Sequence, residues 1–134
     1  MNLRGLAFGL ALVGCESTPQ VTIVDEANQE VLAVEVDLAE TVAERTQGLR
    51  GRNLAGGRGL LIVLPGESEV CINNQGVEID IDAVFIDDGE RVSAVERNIR
   101  ADDSRDRCYV ARYILELNAG SASSVEPGQT ALLP

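Results

Sequence analysis

Apolar residues recur at every second position along much of this chain, in short runs separated by glycine, asparagine and aspartate. In the segment EVLAVEVDL, for example, Leu32, Val34 and Val36 alternate with polar residues. A period of two places successive side chains on opposite faces of a β-strand, whereas a helix needs a period near 3.6. The pattern therefore predicts a mainly β fold of the α+β class, either a small barrel or a rolled antiparallel sheet with one or two short helices.

The same pattern places the individual strands. Residues 21–24 and EVLAVEVDL flank the turn DEANQ and form a predicted hairpin. The run LLIVL is expected to end at Pro65, with EVCIN as a separate strand. VEIDIDAVFI and RVSAVE flank the turn DDGE and form a second predicted hairpin, and YVARYILEL and TALL supply the last strands.

One short helix is predicted after the second strand. Thr41 followed by Glu44 is a capping box, in which each residue satisfies a backbone N–H of the first helical turn. Gly48 is a natural residue for the end of this helix. A further helical turn is predicted at residues 121–125.

The N-terminus carries one basic residue, Arg4, followed by an apolar run that ends at a cysteine. This run is too short to cross about 30 Å of hydrocarbon, so it is interpreted as an export signal. The tetrad LVGC, which ends at Cys15, resembles the bacterial lipobox, whose cysteine is acylated after the signal is removed. The alternatives are an ordinary signal with a coincidental cysteine, or a buried strand.

This interpretation divides the chain into a lipoprotein signal peptide (residues 1–14), a lipidated tether (15–20) and one β-rich domain (21–134). Two or three acyl chains give a stable membrane anchor. Glu16 follows the cysteine, where an aspartate would resemble an inner-membrane retention signal. The protein is therefore expected on the periplasmic face of an outer membrane.

The charge balance restricts the possible partners. The sequence has 22 acidic and 11 basic residues, a formal net charge of −11. A field of that sign repels nucleic acid, so no nucleic-acid partner is expected. Every basic residue is arginine, and the absence of histidine removes the commonest general base and metal ligand.

The two remaining cysteines, Cys71 and Cys108, are predicted to form a disulfide. After export they would lie in an oxidising compartment, where a pair of cysteines usually forms a bridge. The strand that carries Cys71 would then lie beside the start of the strand that begins at Tyr109. The alternative is a redox pair in which Arg105 and Arg107 lower the pKa of the Cys108 thiol, but no CxxC spacing supports it.

Four arginines, Arg45, Arg50, Arg52 and Arg58, lie in or beside a glycine-rich segment. Guanidinium groups on such a loop can bind the carboxylate or phosphate of a small anionic ligand through paired hydrogen bonds. Alternatively, they can pair with carboxylates of the chain and fix the loop on the sheet. The surplus of acidic residues favours this internal pairing, and both interpretations remain open.

A row of three carboxylates is predicted in the segment VEIDID. Glu78, Asp80 and Asp82 alternate with apolar residues, so on one strand they would share a face, about 7 Å apart. Such a row could bind a hard cation or supply the acid and base of a glycoside hydrolase. A solvated face, or pairing with arginines of neighbouring strands, is the structural alternative and is favoured.

The segment DDSRD has the oxygen spacing that begins a calcium loop, at Asp102, Ser104 and Asp106. Arg107 stands where such a loop requires glycine, and Tyr113 where it requires a bidentate glutamate. No metal site and no cofactor are therefore expected.

The segments VEVDLAETVAERTQGLRGR, GLLIVLP, IDIDAVFIDDGERVSAVE, YILELNAG and PGQTALL follow one another over nearly the whole predicted domain. As an ordered set they resemble the bacterial and archaeal family known as domain of unknown function 192. The resemblance implies a small, mainly β domain that is often exported, and it supplies no activity. One segment departs from the family pattern: Asn73 and Asn74 replace an apolar pair, and Asp80 stands where proline is usual.

Together these features predict a lipid-anchored, exported β domain that serves as a non-catalytic binding or accessory module of the cell envelope. Its membrane contact would be the N-terminal lipid, and its partner an envelope protein or a small anionic ligand. The first alternative is an envelope carbohydrate hydrolase that uses the acidic row. The second is a passive structural lipoprotein.

Overall fold

The computed structural model describes residues 18–134. Within this range the chain forms a short helix, α1 (Val42–Gln47), a 3-10 turn (Ala55–Gly57) and seven strands. The strands are β1 (Gln20–Val24), β2 (Glu30–Ala39), β3 (Gly59–Ile72), β4 (Ile81–Ile86), β5 (Val92–Ile99), β6 (Arg107–Asn118) and β7 (Thr130–Leu132). The predicted mainly β fold with a short helix is confirmed.

The predicted signal peptide and the lipidation site Cys15 lie outside the described residues. In the part of the chain that the structure describes, no helix has the length and apolar character needed to cross a membrane.

The strands form one sheet in the order β5-β4-β6-β3-β2-β1-β7. The β1–β2 and β4–β5 hairpins are antiparallel, as predicted. One pair departs from the antiparallel arrangement of the predicted rolled sheet: β2 and β3 run parallel through residues 36–39 and 59–62. The long connection that contains α1 makes this possible, since parallel neighbours need a crossover instead of a tight turn.

Strand β3 continues through Pro65, so the prediction of two separate strands on either side of this proline is wrong. The pairing of β3 with β6 shifts register between Val63 and Ser68, and Pro65 lies inside this irregularity. Proline is tolerated there because the hydrogen-bond ladder is already interrupted.

The disulfide between Cys71 and Cys108 is present, which confirms the predicted bridge. The two residues lie directly opposite each other on β3 and β6, with Cα atoms 4.0 Å apart. Arg105 and Arg107 both form ion pairs with Asp103. Because Cys71 and Cys108 face each other across β3 and β6, the prediction that their two strands are neighbours is also confirmed.

Strand β7, at one edge of the sheet, lies next to the residues that precede β5 at the other edge. Arg91 and Thr130 form an isolated antiparallel bridge, and the N–H of Ala131 donates to the carbonyl of Glu90 at 2.8 Å. The sheet is thus curled into a half-barrel, which confirms the predicted rolled sheet.

Two apolar clusters pack on the two faces of this sheet. One draws residues from all seven strands, including Ile23, Val36, Val84 and Leu115. The other lies on the opposite face of β3, β4 and β6, where Leu49 and other residues of the connecting segments cover it. These covering segments carry the candidate site.

Helix α1 begins and ends as its sequence predicts. The Oγ1 atom of Thr41 accepts from the N–H of Glu44, and the Glu44 carboxylate accepts from the N–H of Thr41. Hydrogen bonds from the backbone N–H groups of Thr41 and Glu40 to the carboxylate lower the pKa of Glu44. Residues 119–124 form turns instead of the helical turn expected nearby.

Candidate functional site

The four predicted arginines separate into two pairs. Arg52 donates to Asp37 Oδ2 at 2.9 Å, and Arg58 donates to Asp37 Oδ1 at 2.6 Å and to Glu35 at 3.1 Å. Both carboxylates belong to β2, so these pairs fix the loop before β3 on that strand. Arg52 and Arg58 are therefore internal ion-pair partners.

Arg45 and Arg50 instead line a cavity of about 230 Å³ between α1, the segment that follows it and residues 72–77. Among residues 18–134 neither guanidinium forms an ion pair with a carboxylate. Arg45 donates to the carbonyls of Glu40 and Val63, which leave its charge uncompensated. We call this space the Arg50 cavity; its polar lining includes Arg45, Arg50, Asn73, Asn74 and Glu116.

Arg50 is held in place by three contacts. Its Nη1 donates to the carbonyl of Thr46 and its Nη2 to Asn73 Oδ1, both at 3.2 Å. Its side chain crosses Gly76, where an added Cβ would lie 3.6 Å from Cγ of Arg50. A guanidinium has five N–H groups, so donors remain for a ligand.

Asn74 fixes the neighbouring wall of the cavity. Its buried amide donates to the carbonyls of Ile79 and Arg100, and its N–H donates to the carbonyl of Asp103. Asn73 is itself held by Asp106, to which its amide donates at 2.9 Å. The two asparagines thus shape this cavity.

Glu116 lies at the floor of the cavity and is only 6% exposed. It stands on β6 between Leu60 of β3 and Ala83 of β4, both apolar. Burial raises the pKa of its carboxyl to about 7, and the nearby charge of Arg50 opposes this shift. The protonated form of this carboxyl therefore persists to higher pH than that of an exposed glutamate.

Gly48 keeps open the space that Arg50 and Glu116 share. Its backbone has φ 51° and ψ −125°, a conformation that residues other than glycine rarely adopt. An added Cβ would lie 3.8 Å from Oε1 of Glu116 and 4.0 Å from Nη1 of Arg50. The carboxyl and the guanidinium therefore face the same volume, next to bare backbone.

Sequence reasoning missed Glu116 as a site residue. The signal was a single acidic residue inside the apolar run YILEL. The residues on either side of it, Leu115 and Leu117, are both buried. A charged residue at such a position needs either a partner or a cavity.

The predicted acidic row does not form, because β4 begins only at Ile81. Asp82 is completely buried and accepts three backbone hydrogen bonds. Asp80 accepts from the N–H of Ala101 and pairs with Arg100, while Glu78 is exposed. The three carboxylates therefore have separate environments, and the expectation of one shared face is wrong.

The carboxylates of the DDSRD segment bind other parts of the chain. Asp102 accepts from the N–H of Gly76, and Asp106 accepts from Asn73. Hydrogen bonds from Arg105 hold the pKa of Asp103 well below its usual range. Within residues 18–134, no three acidic or cysteine side chains are grouped so that they could hold a metal ion.

Residues 22–132 match the DUF192 family, which is described as "Uncharacterized ACR". The chain belongs to this family. The match includes every residue named here in the Arg50 cavity, and it confirms the resemblance inferred from the ordered segments. No curated protein sequence matches this DUF192 protein.

Two solved structures share the fold. A protein from Sinorhizobium meliloti described as a "putative transcription regulator" has a TM-score of 0.79 at 22% identity, over 89% of this chain and 98% of that chain. A protein of unknown function from Novosphingobium aromaticivorans has a TM-score of 0.77 at 23% identity, over 85% of this chain and 83% of that chain. At these identities the likeness shows the fold alone.

Proposed function

We propose that this DUF192 protein is a non-catalytic binding module that takes a small anionic ligand in the Arg50 cavity. The observation that carries the proposal is the pair of guanidinium groups, Arg45 and Arg50, at one cavity without a carboxylate partner among residues 18–134. Of the eight other arginines among residues 18–134, seven pair with at least one carboxylate, and Arg91, which lies outside the cavity, donates to the carbonyl of Gly128. In a chain with 22 acidic residues, two guanidinium groups that form no ion pair and have only the buried carboxyl of Glu116 in the same concave site favour an anion from outside.

The net charge of −11 limits the size of that anion. A small anion contacts the two guanidinium groups directly, where the local charge outweighs the distant surface field. A polyanion would also meet the surrounding acidic surface. For this reason we do not extend the description of the S. meliloti protein as a transcription regulator to this chain.

We also propose that the module is exported and anchored through a lipid on Cys15, as the lipobox-like tetrad LVGC suggests. The ligand would then be an anion of the envelope, either free or part of an envelope protein. We do not favour a hydrolase that uses the acidic row, because Asp82 has its oxygens occupied by backbone donors.

The experiment is a titration of the full-length protein with acetate, lactate, succinate and phosphate. Calorimetry measures the binding, and NMR of the arginine Nε–H groups shows which arginines respond. We expect at least one of these anions to bind and to shift the Arg50 signal. Arg50→Ala should weaken this binding by about 10-fold or more, because a charge-assisted hydrogen bond is lost.

Arg52→Ala is the matched control, because Arg52 pairs with Asp37 outside the cavity. It should leave the affinity within about twofold of the wild-type value. Equal weakening by the two substitutions, or no binding of any of the four anions, would refute the proposed function.

A further inference from the structure

We infer that Glu116 is a ligand-binding residue of the Arg50 cavity, and that its protonated carboxyl donates a hydrogen bond to a small monocarboxylate ligand that Arg50 also binds. This inference rests on the proposed function and names the ligand class. When Glu116 is ionised in the free protein, binding takes up one proton from solvent, so that charge and protons balance.

The geometry makes the carboxyl available to a ligand. Glu116 is nine-tenths buried and lines the cavity, yet no donor among residues 18–134 forms a hydrogen bond to its side chain. No fully enclosed side-chain oxygen in this range lacks a partner, so the oxygens of Glu116 open onto the cavity. Gly48 leaves free the space between this carboxyl and Arg50.

The surroundings explain why the carboxyl can hold a proton. The charged groups that face it are Arg50 and Arg45, and its neighbours across the sheet, Leu60 and Ala83, are apolar. Desolvation outweighs the charge of Arg50 and brings the pKa of Glu116 to about 7. A carboxylate ligand beside it raises that pKa further, because two carboxylates in contact share one proton.

The number of free donors favours a monocarboxylate. Two N–H groups of Arg50 are already bound to Thr46 and Asn73. The two oxygens of a carboxylate can then accept from a remaining N–H of the guanidinium and from the O–H of Glu116. A phosphate dianion would place a second negative charge next to the same buried carboxyl, so we expect it to bind more weakly.

The test measures the affinity of the full-length protein for acetate at pH 6 and pH 8. Acetate is ionised at both values, and the sequence has no histidine, the side chain that ordinarily titrates in this interval. We expect the affinity to fall about tenfold from pH 6 to pH 8, because the proton must then be taken up from solvent.

Two variants separate hydrogen-bond donation from simple charge repulsion. Glu116→Gln keeps a neutral donor, so its affinity should stay within about threefold of the wild-type value at pH 6 and should not change with pH. Glu116→Leu has a similar size and no hydrogen-bond donor. It should therefore bind acetate about tenfold more weakly than the Gln variant does at both pH values. Thermal melts of both variants check that they are folded, and the Gln variant also controls for titration of the terminal amine.

The outcomes distinguish this inference from the proposed function. Acetate binding that depends on Arg50 but not on pH, or equal affinity of the Leu and Gln variants, would overturn the role of Glu116 and leave the anion site intact. Tighter binding of phosphate than of acetate would overturn the ligand class. If no anion binds in an Arg50-dependent way, both proposals are wrong.

Discussion

Asp82 is completely buried, and backbone N–H groups surround its carboxylate. Its Oδ1 accepts from Asn98, and its Oδ2 accepts from Gly120 and Ala122, each at 2.9 Å. Asn98 lies where the pairing of β4 with β5 shifts register, so its N–H bonds to this side chain instead of the partner strand. One residue thus ties β4 to a bulge in β5 and to the connection that follows β6.

We expect Asp82→Ala to lower the free energy of unfolding by about 3 to 5 kcal/mol, because it leaves buried backbone donors without an acceptor. Chemical denaturation measures this loss. Glu78→Ala changes an exposed carboxylate four residues away and should stay within about 0.5 kcal/mol of wild type. Similar denaturation midpoints for the two variants would show that the hydrogen bonds to Asp82 do not stabilise the fold.

At the scale of elements, the second half of β3 and the first half of β6 form a two-stranded ribbon. Residues 68–72 pair with residues 107–111, while β2 and β4 pair only with the other halves of these strands. An isolated pair of strands is marginally stable in water, so the ribbon needs further support. Packing of Val70, Tyr109 and Ala111 on the apolar cluster of that face supplies part of this support, and the disulfide adds to it. Cys71 also lines the Arg50 cavity.

Replacing both disulfide cysteines, Cys71→Ser with Cys108→Ser, should lower the free energy of unfolding by about 2 to 4 kcal/mol. The bridge closes a loop with a sequence separation of 37, and its removal gives the unfolded chain more freedom. Denaturation of the double variant and of the wild type under non-reducing conditions measures the difference. An unchanged midpoint, or free thiols at these positions in the wild type, would contradict this role.

At the scale of the whole molecule, a strongly acidic domain would be held close to a membrane. Five residue steps separate Cys15 from Gln20, where β1 begins, so the proposed tether spans at most roughly 17 Å. A net charge of −11 disfavours contact with anionic headgroups. The lipid would therefore supply the attachment that the surface of the domain does not.

We expect Cys15→Ser to abolish lipidation and to leave the signal uncleaved by the lipoprotein peptidase, because both steps require the thiol. Mass spectrometry of the N-terminus and fractionation of the envelope measure the two effects. The double variant of Cys71 and Cys108 is the control, since it should remain lipidated. A wild-type protein found unacylated and soluble would end the anchor proposal.

Features that depend on neighbouring residues could be predicted before the structure was known. The alternation around Val34 and Val36 encodes a strand because side chains of a strand point to opposite faces. The capping box of Thr41 and Glu44 is equally local, and the ordered segments indicated the family. Chemistry of the cysteines, not local geometry, indicated the disulfide.

The way in which distant segments meet could be read from the folded chain alone. The parallel pairing of β2 with β3 depends on a crossover whose direction the local period does not encode. The division of the arginines arises because β2 presents carboxylates to Arg52 and Arg58 while Arg50 turns towards Asn73. Glu116 lines the cavity because segments distant in sequence cover it, and this burial raises the pKa of its carboxyl.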